Sequence, residues 1–326
     1  MEIGSFIQLQ FHNGQEWYTE EKYPSLEIAR LNSGRAAIYH AIMVLGCDTV
    51  YLPYYQCETV REFLKKKGVV VKYYRIDERF SPIFPEKQKV NEAIVLVNYY
   101  GIFSNRRIKE LSKGCQNVVI DNSQAFFSEP IEGCMNVYSA RKFEGVPDGA
   151  YVIGKNAKQG VDAYPQGYSS DTSLFLLQRI EYGCEGKTYE SRSKNEERID
   201  SEDVMKMSPL TKAILDGADY LNNREIRREN FEYAHKLLQD INKLNPVQYY
   251  EEDVVPMVYP LLVEDDGLLT KLLQAKHFQG HWWNYVLRET PTNSFEYWLS
   301  RYMIPITIDQ RYGKEELDWL NKVIRE

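Results

Sequence analysis

The sequence predicts an α/β protein in which helices on both faces sandwich a mostly parallel sheet, followed by a smaller C-terminal α/β domain. Three observations support this class. The chain has 326 residues, 43% of them hydrophobic, which is enough for more than one core. Short runs of β-branched and aromatic residues recur, each followed by a helical pattern. A long helical pattern then separates this alternating region from the C-terminal part.

Five apolar runs are predicted to be strands. The run at 49–52 ends at Pro53, and the run at 69–74 follows a charged helical segment, 61–67, which ends at Gly68. The other three runs are 93–98, 118–120 and 150–153. Nearly all-apolar runs are typical of strands covered on both faces. Ligands in such sheets bind at the carboxyl ends of strands, so the residues just after each run are candidates for function.

The middle of the chain changes character after the last of these runs. The segment 187–203 is strongly polar, which predicts an exposed loop. From Pro209 to Leu238 apolar residues recur at three- and four-residue spacings, which predicts one long helix joining two domains. Arg227 and Arg228 on this helix are predicted to face solvent.

The helix provides a candidate domain boundary. We predict a large domain at 1–222 and a small C-terminal domain at 223–326, which contains a strand near 254–259. The aromatic segment 281–283 in the small domain could line a pocket, but core packing is the commoner use of such residues.

Composition excludes several classes of protein. The formal net charge is −7, which argues against a nucleic-acid binder, since such a protein needs a dense basic surface. No apolar run approaches the ~20 residues that span a bilayer, and residues 1–4 lack the features of a signal peptide. The five cysteines are scattered, which disfavours a disulfide framework or a zinc site and favours reduced thiols in a cytoplasmic protein.

A possible phosphate site lies early in the chain. The segment 32–38 reads Asn-Ser-Gly-Arg-Ala-Ala-Ile, in which a Ser-Gly pair leads into an alanine-rich helix. The free backbone N–H groups and the positive end of such a helix can bind a phosphate, and Arg35 could add charge. An ordinary capped helix with small packing residues is the alternative.

Three further segments place polar groups where strands end. Asp121 follows a buried run and could face a cation, although an aspartate that starts a turn is commoner. Lys142 follows the segment 138–141, and without context a lone lysine is nearly always on the surface. Tyr100 and Gly101 follow the run at 93–98 and form either a pocket wall or a strand-to-turn junction.

The order and spacing of these segments resemble a known layout. An early phosphate site, an aspartate about 85 residues later and a lysine about 20 residues beyond it are the arrangement of fold-type-I pyridoxal phosphate enzymes. More narrowly, the chain resembles the DegT/DnrJ/EryC1/StrS family of sugar aminotransferases. The residues that carry the resemblance are Ser33, Gly34, Arg35, Ala36 and Ala37; Leu52, Pro53 and Tyr54; Tyr100 and Gly101; Asp121, Asn122, Ser123, Gln124 and Ala125; Lys142, Asp148 and Gly149; and Ile304, Pro305 and Ile306.

The resemblance implies roles for three side chains around the cofactor ring. Lys142 would form the internal aldimine and then move a proton between Cα and C4′, so its amine must be neutral, with a pKa lowered by burial and nearby positive charge. Asp121 would pair with the pyridine nitrogen and keep it protonated. Gln124 would lie near the ring hydroxyl or the ring face.

The resemblance also implies a phosphate site. Ser33, Gly34 and Arg35 match the family's phosphate-binding turn, and Ser139 matches its phosphate-binding serine ahead of the lysine. The residue stacked over the ring falls near 56–57 and stays unassigned.

Two departures and one retained residue bear on the reaction. Ser139 and Lys142 are three positions apart where the family usually has five, and the family's Asn-Tyr-Arg-Met segment appears as Val-Met-Lys-Met at 204–207. Related dehydratases carry histidine in place of the lysine. A lysine at position 142 therefore favours transamination over dehydration.

The resemblance thus implies a homodimeric, pyridoxal-phosphate-dependent aminotransferase with no bound metal. It would transfer an amino group from an amino acid, with glutamate the favoured donor, to a nucleotide-linked keto-sugar by a ping-pong mechanism. Arg141, Arg301 and Arg311 are alternative ligands for the donor carboxylate. The competing hypothesis is a catalytically altered fold-type-I protein that binds the cofactor in a regulatory role.

Overall fold

The structure is a computed structural model that describes residues 7–326. The segment 1–4, for which no signal peptide is expected, lies outside the described residues. The strands are β1 (Glu27–Leu31), β2 (Thr49–Pro53), β3 (Val70–Ile76), β4 (Pro82–Ile83), β5 (Glu92–Val97), β6 (Val118–Asn122), β7 (Met135–Ser139), β8 (Ala150–Gly154), β9 (Val258–Leu262) and β10 (Met303–Thr307). The α-helices are α1 (Gly34–Val44), α2 (Glu58–Lys66), α3 (Asn105–Ser112), α4 (Leu174–Tyr182), α5 (Lys187–Ser201), α6 (Pro209–Asp216), α7 (Tyr220–Leu238), α8 (Leu268–Gln274), α9 (Val286–Glu289), α10 (Phe295–Tyr302) and α11 (Lys314–Arg325).

Eight strands form one central sheet in the order β1-β8-β7-β6-β5-β2-β3-β4. The five strands from β7 to β3 in this order are mutually parallel, whereas β8, β1 and β4 pair antiparallel with their neighbours. Because β1 and β7 both pair antiparallel with β8, they run in the same direction. Their carboxyl ends therefore lie on the same edge of the sheet, together with those of β2, β5 and β6. The predicted α/β class with a mostly parallel sheet is confirmed.

The five predicted strands of the sheet are confirmed, but apolar runs alone missed β1, β4 and β7. The strand predicted near 254–259 begins only at Val258, as β9. Strand β7 is interrupted in sequence by Asn136, which is nevertheless fully buried. The Asn136 side chain accepts a hydrogen bond from the backbone N–H of Ile131 at 2.9 Å and donates to the carbonyl of Ile153 at 3.1 Å. These bonds compensate the cost of burying the amide, so a polar residue is tolerated in a central strand.

The predicted loop at 187–203 is wrong, because most of this segment forms helix α5. Thr188, Asn195 and Ile199 are its buried residues, and the other side of the helix is charged. Glutamate, lysine and arginine are good helix formers, so a polar composition does not by itself exclude a helix. The Asn195 side chain donates to the carbonyl of Pro147 at 2.8 Å and attaches α5 to the segment that follows Lys142.

The predicted single helix from Pro209 to Leu238 is also wrong, because it is two helices, α6 and α7. Ser208 caps α6, and Asp219 caps α7 by accepting from the backbone N–H of Asn222 at 3.3 Å. A new cap three residues after the end of α6 starts a separate helix. The predicted boundary at 222/223 falls in the first turn of α7, and the two-domain division stays a prediction.

The C-terminal part adds the antiparallel pair β9 and β10, with helices packed around it. One hydrophobic cluster contains residues from both parts of the chain, including Tyr99, Tyr100, Tyr259 and Leu299. In the described range 7–326, no helix is both long enough and apolar enough to cross a membrane.

Candidate active site at the carboxyl edge of the sheet

Asp121 is the carboxylate among the predicted site residues, and it is buried. It lies in β6, between β7 and β5 in the sheet, and only 6% of its surface is exposed. One carboxylate oxygen, Oδ1, accepts from the backbone N–H of Ser123 at 3.0 Å. The other, Oδ2, accepts from Nε2 of Gln56 at 3.1 Å. Two donors therefore fix the position of the carboxylate.

Gln56 comes from the loop after β2 and was predicted only as a position near the cofactor ring. The hydroxyl of Tyr285, near α9, donates to the carbonyls of Tyr54 at 2.7 Å and Gln56 at 2.8 Å, which fixes this loop. Oε1 of Gln56 is buried and has no hydrogen-bond partner among the described residues. The structure thus assigns Gln56 as a partner of Asp121. Sequence spacing could not predict a contact between residues so far apart in the chain.

Small residues surround the start of α1. Ser33 is the N-cap, and its Oγ accepts from the backbone N–H of Ala36 at 3.4 Å. A Cβ atom placed on Gly34 would lie 3.2 Å from Oγ of Ser123 and 3.9 Å from Cβ of Ser139. Glycine therefore leaves a concave space that three serine residues adjoin. The first N–H groups of a helix have no intrahelical partners and point toward such a space.

The Arg35 side chain is directed away from this space. Its guanidinium forms an ion pair with Asp200 at 2.6 Å and donates to the carbonyl of Ile199, both in α5. The side chain is 8% exposed and packs against the ring of Phe63. The positive charge expected from Arg35 is therefore used to attach α5 to α1. Only the backbone N–H of Arg35, and not its side chain, is then available to bind an anion at the start of the helix.

Gln124 and the predicted Tyr100–Gly101 turn contact each other directly. Oε1 of Gln124 accepts from the backbone N–H of Tyr100 at 2.7 Å. Gly101 has φ of +72°, and a Cβ there would overlap the carbonyl oxygen of Gln124. Position 101 therefore requires a residue without a side chain that tolerates a positive φ, which is glycine. Because Oε1 of Gln124 already accepts from Tyr100, its side-chain NH₂ is the group available to a ligand.

Lys142 ends a short 3₁₀ turn, Ala140–Lys142, directly after β7. Its side chain is exposed. The burial expected from the sequence is therefore wrong for the chain by itself, because no other segment of residues 7–326 covers the amine. The turn itself is fixed, since the backbone N–H groups of Phe143 and Glu144 both donate to the carbonyl of Ala140 at 2.9 Å.

The three arginines proposed for a donor carboxylate all have acidic partners within the chain. The ion pairs join Arg141 to Glu196, Arg301 to Asp266 and Arg311 to Asp309. Only Arg141 adjoins Lys142 in sequence. A carboxylate that binds Arg141 would have to displace Glu196 or share the guanidinium with it.

Glu144, two residues after Lys142, is a buried carboxyl group that the sequence analysis did not identify. Burial raises its pKa to about 7, against the ordinary value of 4.5, and a hydrogen bond from Asn223 only partly offsets this. In the folded state the group therefore keeps a proton over a pH range in which it ionises in the unfolded chain.

This shift predicts a pH-dependent stability. A raised pKa in the folded state contributes stability that is complete below about pH 4.5 and is lost as the pH rises through about 7. We expect Glu144→Gln to remove this loss and to be more stable than the parent chain at pH 8 by roughly 3 kcal/mol, with little gain at pH 4.5. Urea unfolding at both pH values measures the difference. Glu225→Gln, at an exposed position of α7, is the control, and an equal gain at both pH values would contradict the assignment.

Arg227 was predicted to face solvent, and this is wrong. It is 2% exposed and among the largest fully buried side chains. The adjacent Arg228 is half-buried and contacts Tyr250 and Glu252. In the segment 281–283, the half-buried Trp282 and Trp283 pack against the hydrophobic cluster, and Trp282 lies 5.5 Å from the ring of Tyr100. No metal-binding cluster of His, Cys, Asp or Glu occurs within 7–326.

The sequence matches no protein-family model and no curated protein. Its structure resembles solved structures over nearly the whole chain. A GDP-4-keto-6-deoxy-D-mannose-3-dehydratase from E. coli, solved with hydrated PLP, is 17% identical, with a TM-score of 0.62 over 94% of this chain and 89% of that one. A DegT/DnrJ/EryC1/StrS aminotransferase from Brucella abortus is 13% identical, with a TM-score of 0.60 over 93% and 87%. A sugar aminotransferase from Micromonospora echinospora is 16% identical, with a TM-score of 0.60 over 91% and 86%.

The chain therefore has the architecture known as fold type I. The predicted likeness to sugar aminotransferase structures is confirmed at this level. At these sequence identities the comparison establishes the architecture, while the chemistry has to be argued from the side chains of the site.

Proposed function

We propose that this chain binds pyridoxal phosphate at the carboxyl edge of its sheet and transfers an amino group from an amino acid to a keto-sugar. The observation that carries the proposal is the convergence of three groups on one edge. These are the buried carboxylate of Asp121, the concave space at Gly34 and the turn that ends at Lys142. The solved structures with this fold include sugar aminotransferases and a dehydratase with PLP, which is consistent with the same cofactor here.

The residues present fit the three recognition groups of this cofactor. Its phosphate suits the start of α1, where Ser33, Ser123 and Ser139 adjoin the space that a Cβ at Gly34 would enter. Its ring nitrogen suits Asp121, since a fixed carboxylate accepts a proton or a hydrogen bond. Its aldehyde needs an amine, which Lys142 supplies.

The cofactor would supply an electron sink for the carbanion formed at the substrate Cα. Asp121 would pair with the ring nitrogen and keep it protonated, and the donors from Ser123 and Gln56 would orient its carboxylate for this contact. The NH₂ of Gln124 would donate to the ring hydroxyl, since its oxygen already accepts from Tyr100. The Nζ amine of Lys142 would take the proton from Cα of the donor and deliver it to C4′ of the cofactor.

The lysine at position 142 favours transamination over dehydration. An amine at this position can move protons in both half-reactions, whereas the resemblance gives the dehydratases a histidine. We infer glutamate as the donor and a nucleotide-linked keto-sugar as the acceptor. The closest charged group to Lys142 in sequence, Arg141, is the candidate for the donor carboxylate.

We also infer a homodimer. The exposed side chain of Lys142 needs cover from water if it is to act as a neutral base, and a second copy of the chain is the cover that the resemblance implies. Size measurement in solution, with and without pyridoxal phosphate, tests this inference, and a monomer under both conditions would contradict it.

All five cysteines are unpaired, consistent with the proposed location in the cytoplasm.

The test of the cofactor assignment is chemical. Incubation with pyridoxal phosphate is expected to give an absorbance band near the visible edge, and borohydride should then attach the cofactor covalently to the peptide that contains Lys142. Glutamate added before borohydride should convert the cofactor to pyridoxamine phosphate and abolish labelling. Labelled glutamate with a panel of nucleotide keto-sugars then identifies the acceptor. A chain that takes up no pyridoxal phosphate would overturn the proposal.

A second candidate function is a cofactor-binding regulatory protein without turnover. The pairing of Arg141, Arg301 and Arg311 with acidic side chains favours it, because a donor carboxylate then lacks a free guanidinium. The glutamate half-reaction separates the two functions. A protein that attaches the cofactor to Lys142 but does not convert it with glutamate would be regulatory.

Gly34 provides a prediction about the phosphate. We expect Gly34→Ala to weaken pyridoxal phosphate binding by about tenfold, or ~1.4 kcal/mol, because the new methyl group would enter the phosphate space. The unliganded chain should keep its melting temperature, since alanine is a better helix former than glycine. Gly280→Ala is the control, because a Cβ at Gly280 has no neighbour within 4 Å. Fluorescence titration measures both affinities, and equal affinities would place the phosphate elsewhere.

A further inference from the structure

The backbone just after Lys142 is held by side chains from the C-terminal part of the chain. The carbonyl oxygen of Phe143 accepts from Nε2 of Gln310 at 2.8 Å and from Nη2 of Arg227 at 3.4 Å. The Arg227 guanidinium also lies 4.6 Å from the centre of the Phe143 ring. The side chain of Asn223 donates to both carboxyl oxygens of Glu144, at 3.0 and 3.2 Å. Helix α7 and the loop after β10 thus fix the two residues that follow the lysine.

Arg227 connects this turn to the opposite side of the site. Its Nη1 donates to the carbonyl of Met257 at 3.2 Å. The backbone N–H of Met257 in turn donates to the carbonyl of Tyr100 at 2.8 Å, and the backbone N–H of Tyr100 donates to Gln124. One guanidinium therefore joins the turn that carries Lys142 to the turn that orients Gln124.

The burial of Arg227 is costly for the fold. No carboxylate forms an ion pair with it among the described residues, and its Nε has no hydrogen-bond partner within 7–326. Burial lowers the pKa of Arg227 to about 10, while the more distant Asp309 and Glu144 partly offset this. An apolar side chain of similar size would avoid the desolvation cost of a buried charge. The presence of an arginine despite this cost is explained if its hydrogen bonds to the carbonyls of Phe143 and Met257 have a function.

We propose that Arg227, assisted by Gln310, is a positioning residue that sets the place of the Lys142 amine relative to Gln124 and the cofactor ring. The proposal rests on the proposed function, since the position of the amine matters only if Lys142 reacts. The hydrogen bonds of Arg227 go to backbone carbonyls, so its proposed effect on the reaction is indirect. It acts through the carbonyls of Phe143 and Met257, and a planar guanidinium reaches both at once, which an ammonium group does not.

The test compares Arg227→Met, Arg227→Lys and Gln310→Leu with Arg228→Met. Arg228 is the next residue in α7, and within residues 7–326 its side chain donates hydrogen bonds to Tyr250 and Glu252 rather than to the Lys142 turn, so its variant is the matched control. Hydrogen exchange of the unliganded chain is the first readout. We expect hydrogen exchange in 140–146 to become about tenfold faster in Arg227→Met and Gln310→Leu, with exchange in the central strands unchanged. In Arg228→Met we expect exchange in 140–146 to stay at the rate of the parent chain.

The second readout is the bound cofactor. We expect the pH midpoint of its absorbance change to shift in Arg227→Met and Gln310→Leu, and kcat to fall about tenfold with KM within twofold, because a displaced amine affects proton transfer more than binding. Arg227→Lys should not restore either value. If Arg227→Met fails to fold, Gln310→Leu still decides, since its parent side chain is only half-buried.

The two proposals fail in different ways. Exchange in 140–146 that does not depend on Arg227 or Gln310, or equal effects in Arg228→Met, would overturn the positioning role while leaving cofactor binding intact. A parent chain that does not bind pyridoxal phosphate would overturn the proposed function and the positioning role with it.

Discussion

Lys142→Ala is expected to lower the rate of amino transfer from glutamate by on the order of 10³-fold or more. The side chain has two proposed tasks, attachment of the cofactor and proton transfer, and positioned proton transfer alone contributes roughly 10²–10⁴-fold. The phosphate space at Gly34 and the carboxylate of Asp121 do not involve Lys142. We therefore expect pyridoxal phosphate to bind reversibly to the variant, without a borohydride-stable attachment.

The fold of this variant should be unaffected. Lys142 is exposed, and among the described residues its side chain forms no ion pair. Truncation of such a side chain usually changes stability by less than about 0.5 kcal/mol. Stopped-flow absorbance after glutamate addition measures the half-reaction, and thermal melting measures the fold. Lys155→Ala, at another exposed lysine after β8, is the control. A Lys142→Ala variant with more than a tenth of the parent rate would exclude the lysine as the proton carrier.

Sequence patterns predicted the parts of this fold that depend on local hydrophobicity. The strands β2, β5, β6 and β8 are nearly continuous apolar runs buried on both faces, and each was found. The less buried strand β3 was also found from its run of β-branched and aromatic residues. Helix α5 was missed because the three residues it buries are few and scattered. Strand β7 was missed because Asn136 obtains its partners from other segments.

The same distinction between local sequence patterns and long-range contacts applies to the candidate site. The positions of Asp121, Ser33 and Lys142 at this edge could be predicted, because each lies near the end of a strand or at the start of a helix, and strand ends meet at one edge. Gln56 and Arg227 could not, since their roles depend on contacts with Asp121 and Phe143 across 65 and 84 residues of chain. An arginine in a charged helical segment looks solvated in sequence, and only the packing of α7 against the Lys142 turn reveals its burial.

Asp121→Asn is the second variant with a large expected effect, on the order of 10²-fold to 10³-fold in the glutamate half-reaction. The amide has the shape of the carboxylate but no charge, so it cannot hold the ring nitrogen protonated. The loss should appear in kcat, with the affinity for pyridoxal phosphate within a few fold, because the phosphate space at Gly34 is unchanged.

The same variant should fold normally, for a reason that the structure makes specific. The new amide would present an NH₂ group to Nε2 of Gln56, and two donors would then face each other. Gln56 can relieve this by rotating its own amide, because its Oε1 is buried without a partner and would become the acceptor. The hydrogen bond from Ser123 to the remaining oxygen is retained. We therefore expect a melting temperature within about 1 °C of the parent chain, which for 326 residues corresponds to roughly 0.7 kcal/mol.

Gln56 gives this experiment its control. Gln56→Leu removes the donor to Asp121 but keeps the carboxylate, so we expect a smaller loss of rate, about tenfold, from a less firmly oriented charge. In Gln56→Leu combined with Asp121→Asn the amide rotation is impossible, and stability should fall by about 1–3 kcal/mol as a buried NH₂ group loses its acceptor. Should Asp121→Asn alone keep the parent rate, the ring nitrogen would not be bound by Asp121, and the orientation of the cofactor proposed for this edge of the sheet would be wrong.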